Sequence, residues 1–340
     1  MQESRPFGRL SFAVRIIFVR RSYALPKGGE SVARLRGAAA LFFPVFFGAA
    51  LLFFPDVSAA AAREGVTLCL QTVLPSLFPF FVLSSLLVQS DVPRLLSRAM
   101  AGVMYPLFGV SGAGASALIL GLLGGYPVGA RTVAELYGRG EIGQEEAEQL
   151  LAFCNNSGPG FFLGVCGTAV FGSARAGAYL YLIHVGAALV TGVLLRRDLG
   201  LPRRKAVSRQ RAPFDLAAAL PAAVQGSFAA VGSVSAFVIF FMVLLRLLSL
   251  VPALAALPPL PRAALFGFVE MTNGVNALSA TRAGFVLCAA IMNWGGLSVQ
   301  AQTRALLAGS ALSARRCVIG KAVQALAGIP LALLAAQRLF

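Results

Sequence analysis

Charge is what this sequence has least of, and acidic charge least of all: 13 Asp and Glu stand against 29 Lys and Arg in 340 residues. Only 12% of the residues are charged, about half of the roughly 25% usual in soluble domains, so a water-facing surface of ordinary extent cannot be built from them. There is one histidine, His184, and a lone imidazole leaves a metal site without the ligands it needs. Five cysteines (Cys69, Cys154, Cys166, Cys288, Cys317) lie in apolar surroundings and never as CxxC, which excludes zinc-ribbon spacing and a disulfide framework and leaves small buried hydrophobes. H-E-x-x-H, G-x-S-x-G and a carboxylate pair in a plausible cleft are also absent, which argues against an enzyme. No cofactor and no metal is implied.

Hydrophobicity is abundant instead, at 58% of residues with a mean hydropathy of +0.79. Apolar runs of about 20 residues recur, each able to cross a bilayer as a helix. They fall at roughly 37–55, 66–89, 101–124, 149–171, 174–195, 217–250, 262–280, 283–300 and 318–338. The fold class expected is all-α, a polytopic helical membrane protein with at least six full spans. The net charge of +16 sits in short segments between the runs, as cytoplasmic loops require, so lipid headgroups rather than nucleic acid are the partner it points to.

Residues 1–36 carry eight basic side chains (Arg5, Arg9, Arg15, Arg20, Arg21, Lys27, Arg34, Arg36) around the apolar stretch Phe12 to Val19. Arg15 breaks that stretch and no small-residue cleavage site follows, so it reads as a basic cytoplasmic extension and not a signal peptide. A first membrane half follows at 37–195, then a basic loop at 196–213, then a second half at 214–340. The loop holds Arg196, Arg197, Arg203, Arg204, Lys205, Arg209 and Arg211 against Asp198 and is assigned to the cytoplasm with the N-terminus. An even number of crossings must then separate residue 36 from residue 196. Four of the runs supply it if 149–171 enters and leaves by one face, as a re-entrant hairpin.

The polar residues point the same way. Asn155-Asn156-Ser157-Gly158-Pro159-Gly160 interrupts 149–171, where proline and glycine break the helix. Asn293-Trp294-Gly295-Gly296-Leu297-Ser298 interrupts the second half, where a second broken re-entrant hairpin is expected near 283–300, with Gln300 and Gln302 close behind. Paired interruptions at corresponding positions are the mark of inverted-repeat secondary transporters with a midplane binding site. Broken backbone in hydrocarbon must line a cavity or be satisfied by protein, so Asn155, Asn156, Ser157, Gly158, Asn293, Gly295, Gly296, Ser298, Gln300 and Gln302, with Asn273 of the neighbouring polar segment, are the candidate substrate-binding set. The half-helix after Gly158 is expected to aim its positive end at an anionic group.

Glu270 stands in an apolar segment with Asn273 and Asn276 expected on the same helical face, and an ionisable residue at that depth is a functional candidate, here for coupling to H+ or Na+. Gly124 to Arg131 breaks the third run and delivers Arg131 four residues before Glu135. Arg131 either pairs with Glu135 or receives a substrate carboxylate at the pathway mouth. His184 is expected in a hydrogen-bonded structural role, and Arg246 at the interface.

Gly125-Tyr126-Pro127-Val128-Gly129-Ala130, Asn155-Asn156-Ser157-Gly158-Pro159, Glu270-Met271-Thr272-Asn273-Gly274 and Gly295-Gly296-Leu297-Ser298-Val299-Gln300-Ala301-Gln302 occur in that order. From about residue 40 onward the chain resembles the YlbJ family of sporulation integral membrane proteins, which carry the nucleoside-recognition or Gate domain. The resemblance implies a multi-pass protein of a bacterial cell membrane, the outer forespore membrane, moving dipicolinate during endospore formation. Two alternatives stay open, a nucleoside-type carrier using the same amides and a non-transporting assembly protein of the spore envelope. The expected partners are a dipicolinate-like anion, membrane lipids and a coupling ion; a homo-oligomer is left open.

Overall fold

The computed structural model describes residues 30–200 and 214–340. Most of the basic extension and of the basic loop therefore lies outside the described residues. Everything regular within them is helical, with no strand among the described residues.

Residues up to Leu52 make one unit and Phe53–Phe340 a second. The described part of the first is α1 (Glu30–Phe53) short of its last residue, and its phenylalanines stack one turn apart, Phe42 on Phe46 and Phe43 on Phe47. The second opens with α2 (Pro55–Leu68), a π-helical turn at Cys69–Val73, α3 (Leu74–Gln89), α4 (Val92–Phe108), α5 (Ala115–Gly124), α6 (Val128–Gly138) and α7 (Gln144–Leu151). A ten-residue π-helix, Phe161–Val170, and α8 (Ala174–Leu194) follow. Beyond the basic loop come α9 (Leu216–Leu248), α10 (Pro252–Ala255), α11 (Pro259–Val269), α12 (Met271–Asn276), α13 (Arg282–Trp294), α14 (Gly296–Leu307) and α15 (Arg315–Leu339).

Four stretches are long and apolar enough to cross a membrane: Ala174–Leu194, Leu216–Leu248, Arg282–Leu307 and Arg315–Leu339, and two bent helix pairs raise the number to six. The run at 101–124 is not one straight span. Gly109, at φ 69°, ends α4 in the left-handed conformation that glycine adopts freely, and the chain bends by 101° before α5. The run at 149–171 contains no crossing helix. Its π-helix is half the length a span needs, and the chain before it is non-helical from Ala152 to Gly158.

Polar side chains start several helices by accepting their first amide hydrogens. Ser173 receives Ala176 N–H at 3.2 Å, Asp215 receives Ala217 N–H at 2.9 Å, and Thr281 receives Gly284 N–H at 3.1 Å. In the core, α2 and α3 run along α9, while α8 and α13 run along α15. Residues from both sides of the basic loop thus contribute to one packed unit.

Candidate functional site

Four helix breaks in the second unit converge. The first lies between α5 and α6 at Gly125–Pro127, the second between α7 and the π-helix, the third at Glu270 between α11 and α12, and the fourth at Gly295–Gly296 between α13 and α14. The first two touch backbone to backbone, because a Cβ on Gly125 would stand 2.9 Å from Gly158 N. The last two touch likewise: a Cβ on Gly296 would stand 3.0 Å from Met271 N and 3.2 Å from Glu270 Cα. Gly295 and Gly296 both have φ of 80°, a conformation that a side chain would strain. Tyr126 of the first break reaches the fourth, its hydroxyl 3.0 Å from where a Cβ on Gly295 would be.

His184, in the middle of α8, ties the second break to α13. Its Nε2 accepts Ser157 N–H at 3.1 Å, which leaves the ring hydrogen on Nδ1, facing Asn293 Oδ1 at 2.9 Å. Asn293 in turn donates from Nδ2 to Ala289 O at 2.8 Å. Phe162 lies against the imidazole, with centroids 4.9 Å apart. The structural role expected for His184 is what the geometry shows, with a specific content: one ring holds two discontinuous segments together.

Beside it stands a residue that sequence reasoning overlooked. Lys321 of α15 is 1% exposed, and its Nζ donates to Gln324 Oε1 at 2.7 Å and to Asn156 Oδ1 at 3.2 Å. The same ammonium lies 5.1 Å from the centroid of the Tyr126 ring, in cation–π range. Gln324 also donates to Asn156 Oδ1, at 3.0 Å, and Asn156 Nδ2 donates to Phe153 O at 2.8 Å. The available signal was a lysine inside the apolar run 318–338, one helical turn before a glutamine, where an ionisable group is a functional candidate by default. Gly320 makes the approach possible, since a Cβ there would collide with the Ala152 carbonyl.

The remaining candidates sort by geometry. Asn155 is fully buried and joins the second break to α14, donating to Thr303 Oγ1 at 2.9 Å and accepting Ala130 N–H at 3.4 Å. Gly158 abuts Gly125 and the Leu123 carbonyl, so the helix end that follows it faces backbone. Ser298, Gln300 and Gln302 are buried on α14, and Ser298 Oγ and Gln300 Nε2 have no hydrogen-bond partner among the described residues. Arg131 is not brought into this cluster; it bonds Glu135 at 3.0 Å and the Gly226 carbonyl of α9 at 3.4 Å. Arg246 is half-exposed and paired with Glu64.

Glu270 departs from expectation. Instead of sharing a continuous face with Asn273 and Asn276, it has extended backbone, ends α11 and caps α12. Its Oε2 accepts both the Asn273 backbone N–H, at 2.8 Å, and the Asn273 side-chain amide, at 2.9 Å. The cause is the neighbouring fourth break, whose Gly296 packs on the Glu270 backbone. Glu270 is 3% exposed, Asn273 half-buried and Asn276 exposed at the end of its short helix.

Fold and site together define an integral membrane protein of several helical spans, built around broken helices that meet at a buried polar network. The profile of the Gate family, described as nucleoside recognition, matches residues 70–245, more than half of the chain, and the protein belongs to that family. It is also similar to the sporulation integral membrane protein YlbJ of Bacillus subtilis (strain 168), at 29% identity over 302 residues, covering 78% of this chain and 74% of the relative. No solved structure matches.

Proposed function

We propose that this protein is a membrane carrier, not an enzyme, that passes a small polar metabolite between its converging helix breaks. The observation that carries the reading is the His184 joint, through which the second break meets the fourth by way of Ser157 and Asn293. Non-helical backbone at membrane depth is sustained where protein or a water-filled path satisfies it. Repeat-built carriers keep their substrate at such a seam and move one bundle against the other around it. Two breaks from each side of the basic loop support that plan. Asn155, Asn156, Asn293 and the buried amides of α14 are the groups we assign to the substrate, and Glu270, a buried carboxylate whose Oε2 is held by Asn273 of α12, to the coupling ion.

The relative's name supports a role in sporulation, and the family resemblance makes dipicolinate the substrate to test first, at the outer forespore membrane. Purified protein in liposomes under an imposed proton or sodium gradient is expected to take up labelled dipicolinate saturably. Asn156→Ala removes an acceptor shared by Lys321 and Gln324 and is expected to cut uptake at least about tenfold, as is Glu270→Gln. Uptake unchanged in both variants would remove the breaks from the pathway. A nucleoside carrier is the second reading, favoured by the family's description and by the amide-rich seam. Under it, uridine and not dipicolinate is accumulated, and uridine competes for the site.

A further inference from the structure

Lys321 is a buried ammonium held by neutral groups alone. Two amide oxygens and an aromatic face surround it, and no carboxylate among the described residues comes within salt-bridge distance. Taking a charge out of water is costly unless an opposite charge meets it. The ring under Lys321 belongs to Tyr126, a residue only 6% exposed, whose buried hydroxyl has no hydrogen-bond partner among the described residues. That hydroxyl stands at Gly295, the N-cap residue immediately before α14.

α14 is 12 residues long, and its first turn receives no side-chain cap. The leading amides of a helix have no partners within it, and their dipoles sum to partial positive charge at that end. An ammonium, an unpaired phenol donor and an uncapped helix start therefore lie along one path, from Lys321 through the Tyr126 ring to Gly295. All three favour negative charge, and glycine at 295 keeps a Cβ out of the space beside the hydroxyl.

We propose that the N-terminal end of α14, the Tyr126 hydroxyl and the Lys321 ammonium form a carboxylate-binding site, at which an anionic substrate is held by charge-assisted hydrogen bonds. The site deepens the carrier reading and rests on it for its purpose, but its chemistry can be measured without transport. Trp294, the single tryptophan of the chain, ends α13 next to Gly295 and stacks on Phe268 with centroids 5.1 Å apart. It reports locally on what binds there.

The experiment measures binding of labelled dipicolinate to the detergent-solubilised full chain by equilibrium dialysis, with Trp294 fluorescence followed in parallel. The wild type is expected to bind saturably, with a Trp294 change at the same midpoint and no displacement by excess uridine. Tyr126→Phe keeps the ring and removes only the donor, and is expected to raise Kd about tenfold; Lys321→Gln is expected to raise it further. An unchanged Kd in Tyr126→Phe, or in a Lys321→Gln protein with wild-type elution and melting, overturns the site. So does wild-type protein that fails to bind dipicolinate, or binds it with Trp294 silent. Binding as expected, together with no uptake into liposomes, leaves the site standing and removes the carrier reading instead.

Discussion

The two nitrogens of His184 do different work, because one accepts a backbone hydrogen from Ser157 and the other donates to Asn293. Only a neutral imidazole with its hydrogen on Nδ1 satisfies both, and no other side chain of similar size has a donor and an acceptor so placed. His184→Phe keeps a planar ring against Phe162 but leaves the Ser157 N–H and the Asn293 oxygen buried and unpaired. Each such loss costs about 1–3 kcal/mol, so the variant is expected to melt well below the wild type in detergent. His184→Gln, which can still donate and accept, is expected to recover part of the difference. Equal melting of His184→Phe and wild type would show that the ring does not hold the breaks together.

At the scale of the helices, close approach decides the site. α15 comes near enough for Lys321 to reach Asn156 because Gly320 faces the Ala152 carbonyl with no intervening atom. Gly320→Ala places a Cβ against backbone that cannot rotate away, and overpacking of this kind costs about 1–3 kcal/mol. Gly232→Ala in α9 is the matched comparison, since a Cβ there meets nothing within 4 Å and alanine favours helix. Thermal unfolding of the two is expected to separate them, Gly320→Ala lower than wild type and Gly232→Ala equal or higher. The same scale explains what the sequence disclosed. The breaks at Gly125, at Asn155 to Gly160 and at Gly295–Gly296 carry glycine or proline within apolar runs, and local chemistry marks them. The break at Glu270 carries neither; it depends on packing against Gly296 from a distant part of the chain and on a cap that forms only once the helix has stopped. The amides at 155, 156 and 293 were legible as a polar set, but the partners of Asn156 were not, because Lys321 and Gln324 sit on a helix with no break to draw attention to them.

For the whole molecule, the distribution of basic residues and the number of crossings constrain each other. The N-terminal segment and the loop at 196–213 are both strongly basic, so the positive-inside rule predicts both on the cytoplasmic face and an even number of crossings between them. The bent pair of α1 and α2, the bent pair of α4 and α5, and α8 are three candidates in that interval. The π-helix Phe161–Val170 is too short to add a fourth. The 5-residue turn at Cys69–Val73 runs on into the 16-residue α3, and together they match the roughly 20 residues a bilayer requires. Cys69–Gln89 is therefore the fourth crossing if both basic segments share a face. Epitope tags placed after Gln2 and after Ser208 in otherwise intact protein test this: both are expected to be reached by antibody only after the cells are permeabilised. One tag reached from outside and the other not would put the two basic segments on opposite faces. Cys69–Gln89 would then not cross, and the charge rule would fail for one of the two segments.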